Sequence, residues 1–244
     1  MKRLRLDAAL VERQLVETRS KAQALVLAGK VTVDGQRADK PGHAVSEEAR
    51  IEVEQELKYV SRGGLKLEAG LQSFAVDPAS RICLDVGTST GGFADCLLQH
   101  GAARVHCVDT GAGQIHWKLR TDSRIVLHES FNARYLTSDE IGERASLLVC
   151  DVSFISVTLL IPALVPILNE SGEMIILVKP QFEAGREYVG KGGIVRDDAG
   201  HQAACDRVTK ALEAQNFETR IIDSPILGAE GNKEFLLYAR RHSS

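Results

Sequence analysis

The chain has 244 residues, 44% apolar and 26% charged, with 30 basic against 33 acidic residues and a net charge of −3. This is the balance of an ordinary globular protein, long enough to bury a core without disulfides or metals. On net charge alone nucleic acid is not an obvious partner. The longest apolar stretch, Val157 to Leu168, is interrupted by Thr158, Pro162 and Pro166 and is too short for a membrane span. The basic start, Met1 to Asp7, is not followed by an apolar run, so no secretion signal is expected. Five cysteines are odd in number and include no C-x-x-C pair, and seven histidines show no ligand spacing. The expectation is a reduced, cytoplasmic protein without a metal.

The charge is uneven along the chain. Residues 1–40 hold nine basic and five acidic residues, a net +4, and the remaining 21 basic and 28 acidic residues give −7. Within the basic segment, Leu6, Leu10 and Val11 recur at helical spacing, with Leu15 closing a first helix. Thr18-Arg19-Ser20 reads as a break and an N-cap. Ala22, Leu25, Val26 and Ala28 give a second apolar face, with Gly29 as the C-terminal stop. Val31-Thr32-Val33 alternates as a strand and Asp34-Gly35 is a hairpin turn. Arg19 and Lys21 open the second helix against its macrodipole, which suits an external anion better than helix stability. Arg50 to Val53 reads as a closing strand inside the acidic segment Glu47 to Glu56, which leads into a linker.

From residue 81 strands and helices alternate. Strands are predicted at 81–86, 104–109, 124–127, 146–151, 173–178, 219–223 and 234–239, and helices at 93–100, 156–168 and 198–216. A further helix carrying Lys66 precedes the first of these strands. Such alternation calls for a doubly wound, mostly parallel seven-stranded α/β sheet, with ligands at the carboxyl ends of the strands. Three strand ends carry chemistry. The first is Asp85-Val86-Gly87-Thr88-Ser89-Thr90-Gly91-Gly92-Phe93, the second Asp109-Thr110-Gly111, the fourth Cys150-Asp151. Glycines let a backbone approach a ligand and free the amides that open the next helix, and an aspartate after strand two suits a ribose diol. A dinucleotide loop would read G-x-G-x-x-G, whereas Gly87, Gly91 and Gly92 are spaced G-x-x-x-G-G. The Asp-x-Gly loop with Asp109 resembles S-adenosylmethionine-dependent methyltransferases.

The acceptor side is read from lysines. Strand four lacks the Asn-Pro-Pro-Tyr pattern of amino-group methyltransferases, and no cysteine is placed as the nucleophile of a C5-pyrimidine enzyme. Lys179 stands at the mouth of a buried strand, where an unpaired ammonium is costly. Lys66, Asp151, Lys179 and Glu234 can all reach one cleft of a doubly wound sheet. A ribose 2′-hydroxyl ionises far above neutral pH and needs a general base near the methyl donor; a lysine serves if desolvation or a second cation lowers its own pKa. Trp117, with His116 beside it, is expected in the core. The Gly-rich basic segment Gly185 to Arg196 is expected to be a surface loop, with closure over RNA as a further hypothesis.

Two resemblances organise these residues. Arg5-Leu6-Asp7, Arg19-Ser20-Lys21-Ala22, Gly29 to Gly35 and Lys40-Pro41-Gly42 resemble a ribosomal-protein-S4-like RNA-binding domain, of small α+β type. Ser61-Arg62-Gly63-Gly64, Lys66-Leu67, Thr88 to Phe93, Asn132-Ala133-Arg134, Asp151 to Ser156 and Val178 to Glu183 resemble the TlyA family, with a Lys-Asp-Lys-Glu set like that of FtsJ-type ribose methyltransferases. The resemblance implies a Rossmann-like class I methyltransferase at residues 59–244, behind an S4-like domain and linker at residues 1–58. It implies methyl transfer from S-adenosylmethionine to the 2′-hydroxyl of cytidine in ribosomal RNA, of 23S type, with 16S RNA as a further candidate. Lys66, Asp151, Lys179 and Glu234 would be catalytic. Asp85, Gly87, Ser89, Gly91, Phe93, Asp109 and Asn132 would bind the donor, and Arg5, Arg19, Lys21, Lys30 and Arg62 the RNA. The chain stops soon after the last predicted strand, whereas some family members continue into a longer tail, so action on both RNAs is left open. Ribosomal RNA or ribosomal subunits are the expected partners, with no membrane and no stable protein partner. The rival readings are a membrane-active haemolysin and a non-catalytic ribosome-assembly factor.

Overall fold

A computed structural model describes residues 3–54, 57–228 and 231–242. Gln55 and Glu56, at the end of the acidic segment that leads into the expected linker, lie outside the described residues. The chain divides into two compact units, Met1–Leu57 and Lys58–Ser244.

The first unit is built from β1 (Arg3–Arg5), α1 (Leu6–Glu12), α2 (Arg19–Leu27), β2 (Val31–Val33), β3 (Gln36–Arg37), β4 (Ala44–Ser46) and β5 (Ile51–Val53). Leu6, Ala9 and Leu10 of α1 meet Ala22 and Val26 of α2 and Val31 of β2 in one buried cluster. The Thr18 hydroxyl accepts from the Lys21 amide and caps α2, and Gly29 takes φ +67° just past its end. Asp34 and Gly35 both adopt positive φ, the I′ turn that joins β2 to β3 in the sheet β3-β2-β5. The pairing of β1 with β4 has no periodicity to announce it, because each strand is three residues long.

The second unit comprises α3 (Gly63–Phe74), β6 (Ile82–Val86), α4 (Gly92–Gln99), β7 (Arg104–Val108), α5 (Trp117–Arg120), β8 (Ile125–His128), α6 (Ser138–Ile141), β9 (Ala145–Cys150), α7 (Ile161–Leu164), β10 (Leu168–Val178), α8 (Pro180–Glu183), α9 (Asp198–Glu213), β11 (Phe217–Asp223) and β12 (Phe235–Arg241). The seven strands run in the order β11-β12-β10-β9-β6-β7-β8, and β12 is antiparallel to both its neighbours. Successive side chains leave opposite faces of each strand. Leu84, Leu148, Cys150, Met174 and Ile176 therefore enter one core with α7 and α9. Cys83, Leu147, Val149, Ile175 and Leu177 enter the other with α3 and α4. Burial on both faces is what made these strands read as continuous apolar runs.

The expected helix over 156–168 is not continuous. It splits into a 3-10 turn at Val157–Leu159, α7, and a second 3-10 turn at Val165–Ile167. Pro162 and Pro166 lack the N–H that an α-helical ladder needs, and their rings confine the preceding residues. All five cysteines are free and buried. The placement expected for Trp117 is corrected: the side chain is 72% exposed on α5, while Ile115 and Leu119 on either side of it fill the core.

Candidate active site

The site lies at the carboxyl ends of β6, β7, β9 and β10. The loop after β6 turns at Gly87, φ +84°, where a Cβ would fall 2.4 Å from the Asp151 carbonyl oxygen. Only glycine lets the ends of β6 and β9 come this close. Gly91, φ +95°, starts α4, and a Cβ there would strike the Leu119 side chain. Asp109, just past β7, accepts from the Ser89 amide at 2.7 Å and from the Gly111 amide at 2.7 Å, one bond to each carboxylate oxygen. It thereby ties the loop after β6 to the loop after β7 and keeps lone pairs on both oxygens for a diol.

Two adjoining clefts share Gly87, Ser89, Asp151, Ser153 and Phe154 as walls. The smaller, about 440 Å³, is lined by Gly87, Ser89, Asp109 and Asn132, with Val108, Phe131 and Leu160 as apolar walls. Asn132 accepts from the Arg134 amide and caps the 3-10 turn Ala133–Tyr135. The larger, about 620 Å³, is lined by Arg62, Lys66, Phe93, Asp151, Lys179 and Glu234. Asp85 and Gly91 line neither cleft and are buried beneath the loop. The Asp85 carboxyl has no hydrogen-bond partner, and burial, with Asp151 and then Asp109 nearby, pushes its pKa up to about 8.

The four acceptor-side residues form two ion pairs. Lys66 lies on the buried row of α3 with Gly70 and Phe74, one and two turns on, so helical spacing alone aims it inward. Its ammonium contacts Glu234 at 2.5 Å, with the two side chains 11% and 3% exposed. Glu234 immediately precedes β12. Lys179 immediately follows β10 and caps α8, with Pro180 at the first helical position. Its ammonium lies 2.6 Å from Asp151 and donates to the Ser153 hydroxyl at 2.8 Å. Two lysines and two carboxylates from four separate elements thus face one cleft with their charges balanced.

Several further residues shape this cleft without having been singled out as sites. Ser153 orients Lys179. Phe154, 93% exposed at φ +65°, stands between the two clefts and meets Phe182 with ring centroids 5.5 Å apart. A bulky side chain in the left-handed region is strained and marks a position fixed by its surroundings. Asn232, 3% exposed, accepts from the Val195 amide and donates to the Gly193 carbonyl, both at 3.1 Å. It pins the Gly185–Arg196 segment so that Val189 and Gly193 wall the larger cleft. Glu183, also buried, accepts from the Ser156 hydroxyl at 2.5 Å and the Val157 amide at 2.7 Å; desolvation raises its pKa. Their motif neighbours were legible, but a buried amide that latches a loop has no sequence signature.

In the first unit, Arg5 and Arg19 both reach Asp7, at 3.0 and 3.2 Å. Arg5 in particular holds the Asp7 carboxyl well below the usual carboxylate range, and Gln23 adds a further hydrogen bond at 2.8 Å. The anion that offsets Arg19 at the start of α2 is therefore internal, although both arginine side chains stay more than half exposed. Lys21 pairs with Glu17 at 3.5 Å. The Lys30 carbonyl accepts from the Glu54 amide.

Residues 59–241 match the model of the FtsJ-like methyltransferase family, and residues 4–51 match the S4 domain. The chain is 43% identical over 242 residues to the 16S/23S rRNA (cytidine-2′-O)-methyltransferase TlyA of Mycobacterium tuberculosis, covering 98% of this chain and 90% of that one. It is 42% identical over 237 residues to hemolysin A of Brachyspira hyodysenteriae, covering 96% and 99%. A hemolysin-named structure from Streptococcus thermophilus superposes with a TM-score of 0.76 at 41% identity, over 100% of this chain and 90% of that one. The chain belongs to the FtsJ-like methyltransferase family and, within it, to the TlyA group, with an S4 domain at residues 4–51.

Proposed function

We propose that the protein transfers a methyl group from S-adenosylmethionine to the 2′-hydroxyl of a cytidine in ribosomal RNA, in the cytoplasm, with the S4 domain contributing RNA affinity. The observation that carries this reading is the convergence of Lys66, Asp151, Lys179 and Glu234 on a cleft that adjoins the Asp109 pocket. The smaller cleft fits the donor. Its apolar walls take an adenine, Asp109 has free lone pairs for the ribose diol, and the open amide-rich turn at Gly87–Ser89 faces the amino-acid portion. The donor supplies a methyl group on a sulfonium. What the chain supplies is position and proton handling. The shared wall of Gly87, Asp151 and Ser153 leads from the donor pocket to the cleft where an acceptor ribose would sit.

In this scheme Lys179, as the neutral amine, takes the 2′-hydroxyl proton as the oxygen attacks the methyl carbon, and the ammonium so formed is held by Asp151 and Ser153. Lys66 and Glu234 hold the ribose from the opposite side. Attack on the methyl carbon must be in line with the departing sulfur, so these contacts contribute mainly by orientation. The hemolysin names belong to relatives; among the described residues no helix is long and apolar enough to cross a membrane.

The direct experiment incubates the purified protein with ribosomal subunits and methyl-labelled S-adenosylmethionine, then digests the RNA to nucleosides. The expected product carries label on the ribose of cytidine; label on a base, or none, overturns the reading. Lysis of protein-free liposomes without transfer would instead establish the membrane-active alternative. A second expectation concerns the donor. Asp109→Ala removes two charge-assisted bonds and the diol acceptor, so S-adenosylmethionine affinity measured by calorimetry should fall about 10–100-fold. An unchanged affinity would remove Asp109 from the donor site.

A further inference from the structure

Trp117 is the only tryptophan in the chain, and it is 72% exposed. Leaving so large a ring in water forgoes the gain of burying it. Its backbone is nevertheless held in place. Ile115 and Leu119 anchor the segment in the core, and the His116 amide donates to the Thr90 carbonyl at 3.1 Å. That bond seats the start of α5 against the loop whose Thr90 lines the acceptor cleft. The His116 ring lies at 5.9 Å from Trp117, tilted beside it.

Two patterns say what this ring faces. Among the described residues the exposed large aromatics of the second unit are Trp117, Tyr135 and Phe154. They stand on the segments that follow β7, β8 and β9: Phe154 lines both clefts, Tyr135 lies on the turn capped by Asn132 of the smaller cleft, and Trp117 follows His116, which is bonded to Thr90 of the larger. The charges around Trp117 are also sorted by depth. Lys118 pairs with Asp95 at 3.4 Å, Arg120 with Glu129 at 2.5 Å and Arg124 with Asp122 at 2.7 Å. The basic side chains are 57%, 41% and 42% exposed, and their acidic partners 3%, 25% and 24%. Each acid lies inward and each base outward, so the surface offered by α5 is cationic although its pairs are balanced.

We propose that Trp117 is a stacking platform for an unpaired nucleobase of the RNA, outside the target nucleotide, with Lys118 and Arg120 meeting the adjoining phosphates. Every base has a π-face, so an exposed indole within a cationic rim takes an unstacked base without needing its identity. A paired helix hides those faces. A second copy of the chain is a poorer occupant, because two such rims would repel. The proposal rests on the RNA-methyltransferase reading.

The single tryptophan is its own probe. The full-length protein is titrated with a protein-free RNA stem-loop with a cytidine-containing loop and, separately, with a blunt duplex of the same stem. RNA retention on filters is followed alongside intrinsic emission. Emission is expected to be quenched by the stem-loop in step with binding, and much less by the duplex. Trp117→Ala should weaken stem-loop binding about 5–100-fold, Trp117→Phe should keep most of it, and neither should change S-adenosylmethionine affinity. Stem-loop binding with unmoved emission, and with Trp117→Ala binding like the wild type, overturns the platform and leaves the reaction intact. A wild-type dimer that Trp117→Ala disperses would show a protein contact and also overturn it. If the protein neither retains the stem-loop nor methylates ribosomal RNA, the underlying reading fails and the platform falls with it.

Discussion

Lys179→Ala is expected to lower the methyl-transfer rate about 10²–10⁴-fold while S-adenosylmethionine binding stays within a few-fold of wild type. The separation follows from where the residue stands. Lys179 lines the larger cleft and not the smaller one, so the proposed donor contacts at Asp109, Gly87 and Ser89 survive its loss. Lys66→Ala would be a poorer experiment. Its partner Glu234 is 3% exposed, and a carboxylate stripped of its cation at that depth costs about 3–5 kcal/mol of stability. Asp151 is 23% exposed and more readily solvated once Lys179 is gone. Single-turnover transfer and calorimetric donor binding on the same preparation make the test. Lys179→Arg then separates two roles. Arginine keeps the positive charge but cannot give up its proton. Recovery of most of the activity by arginine would make residue 179 an electrostatic clamp, whereas continued inactivity fits a proton acceptor. A Lys179→Ala enzyme that still turns over at near wild-type rate would remove Lys179 from the chemistry altogether.

The parts of this molecule that were legible in its sequence are those a local pattern can encode. The central strands announced themselves because both faces of each are buried, as at Ile82–Val86 and Ala145–Cys150. Thr18, Gly29 and the Asp34–Gly35 turn were legible because caps and I′ turns demand particular residues. Lys179 stood out as a charge at the end of an apolar run. What stayed hidden depends on residues far apart in the chain. Glu183 locks Ser156 and Val157, 26 to 27 residues away, and Asn232 grips a loop 37 to 39 residues before it. Trp117 misled because an isolated tryptophan is usually core; the neighbours on either side of it, Ile115 and Leu119, are the anchors instead. Arg19 misled in the opposite sense. Its position against the helix dipole called for an anion, and part of the answer is the chain's own Asp7.

Removing residues 1–57 should cost RNA affinity about 100-fold or more, and S-adenosylmethionine affinity almost nothing. Each unit has its own buried clusters, and both clefts are lined wholly by residues beyond the division at Leu57, so the shortened chain keeps a complete donor site. The first 40 residues carry +4, but Met1–Leu57 as a whole has ten basic and ten acidic residues, because Glu47, Glu48, Glu52, Glu54 and Glu56 follow. Net charge therefore predicts no attraction, and the affinity must come from how the cations are arranged. Arg5 and Arg19 present more than half of their side chains to solvent above a buried Asp7, and Lys21 is as exposed beside them. If Arg5, Arg19, Lys21 and Lys30 each meet one phosphate, the slope of log K against log salt should flatten by about 3 on truncation. Filter binding of ribosomal RNA across a series of potassium chloride concentrations measures both quantities. A truncated protein that binds as tightly as the full chain, with the same salt slope, would place the RNA grip in the catalytic body. A lost affinity with an unchanged slope would mean that the S4 domain recognises shape through uncharged contacts, and that its arginines serve chiefly to hold Asp7.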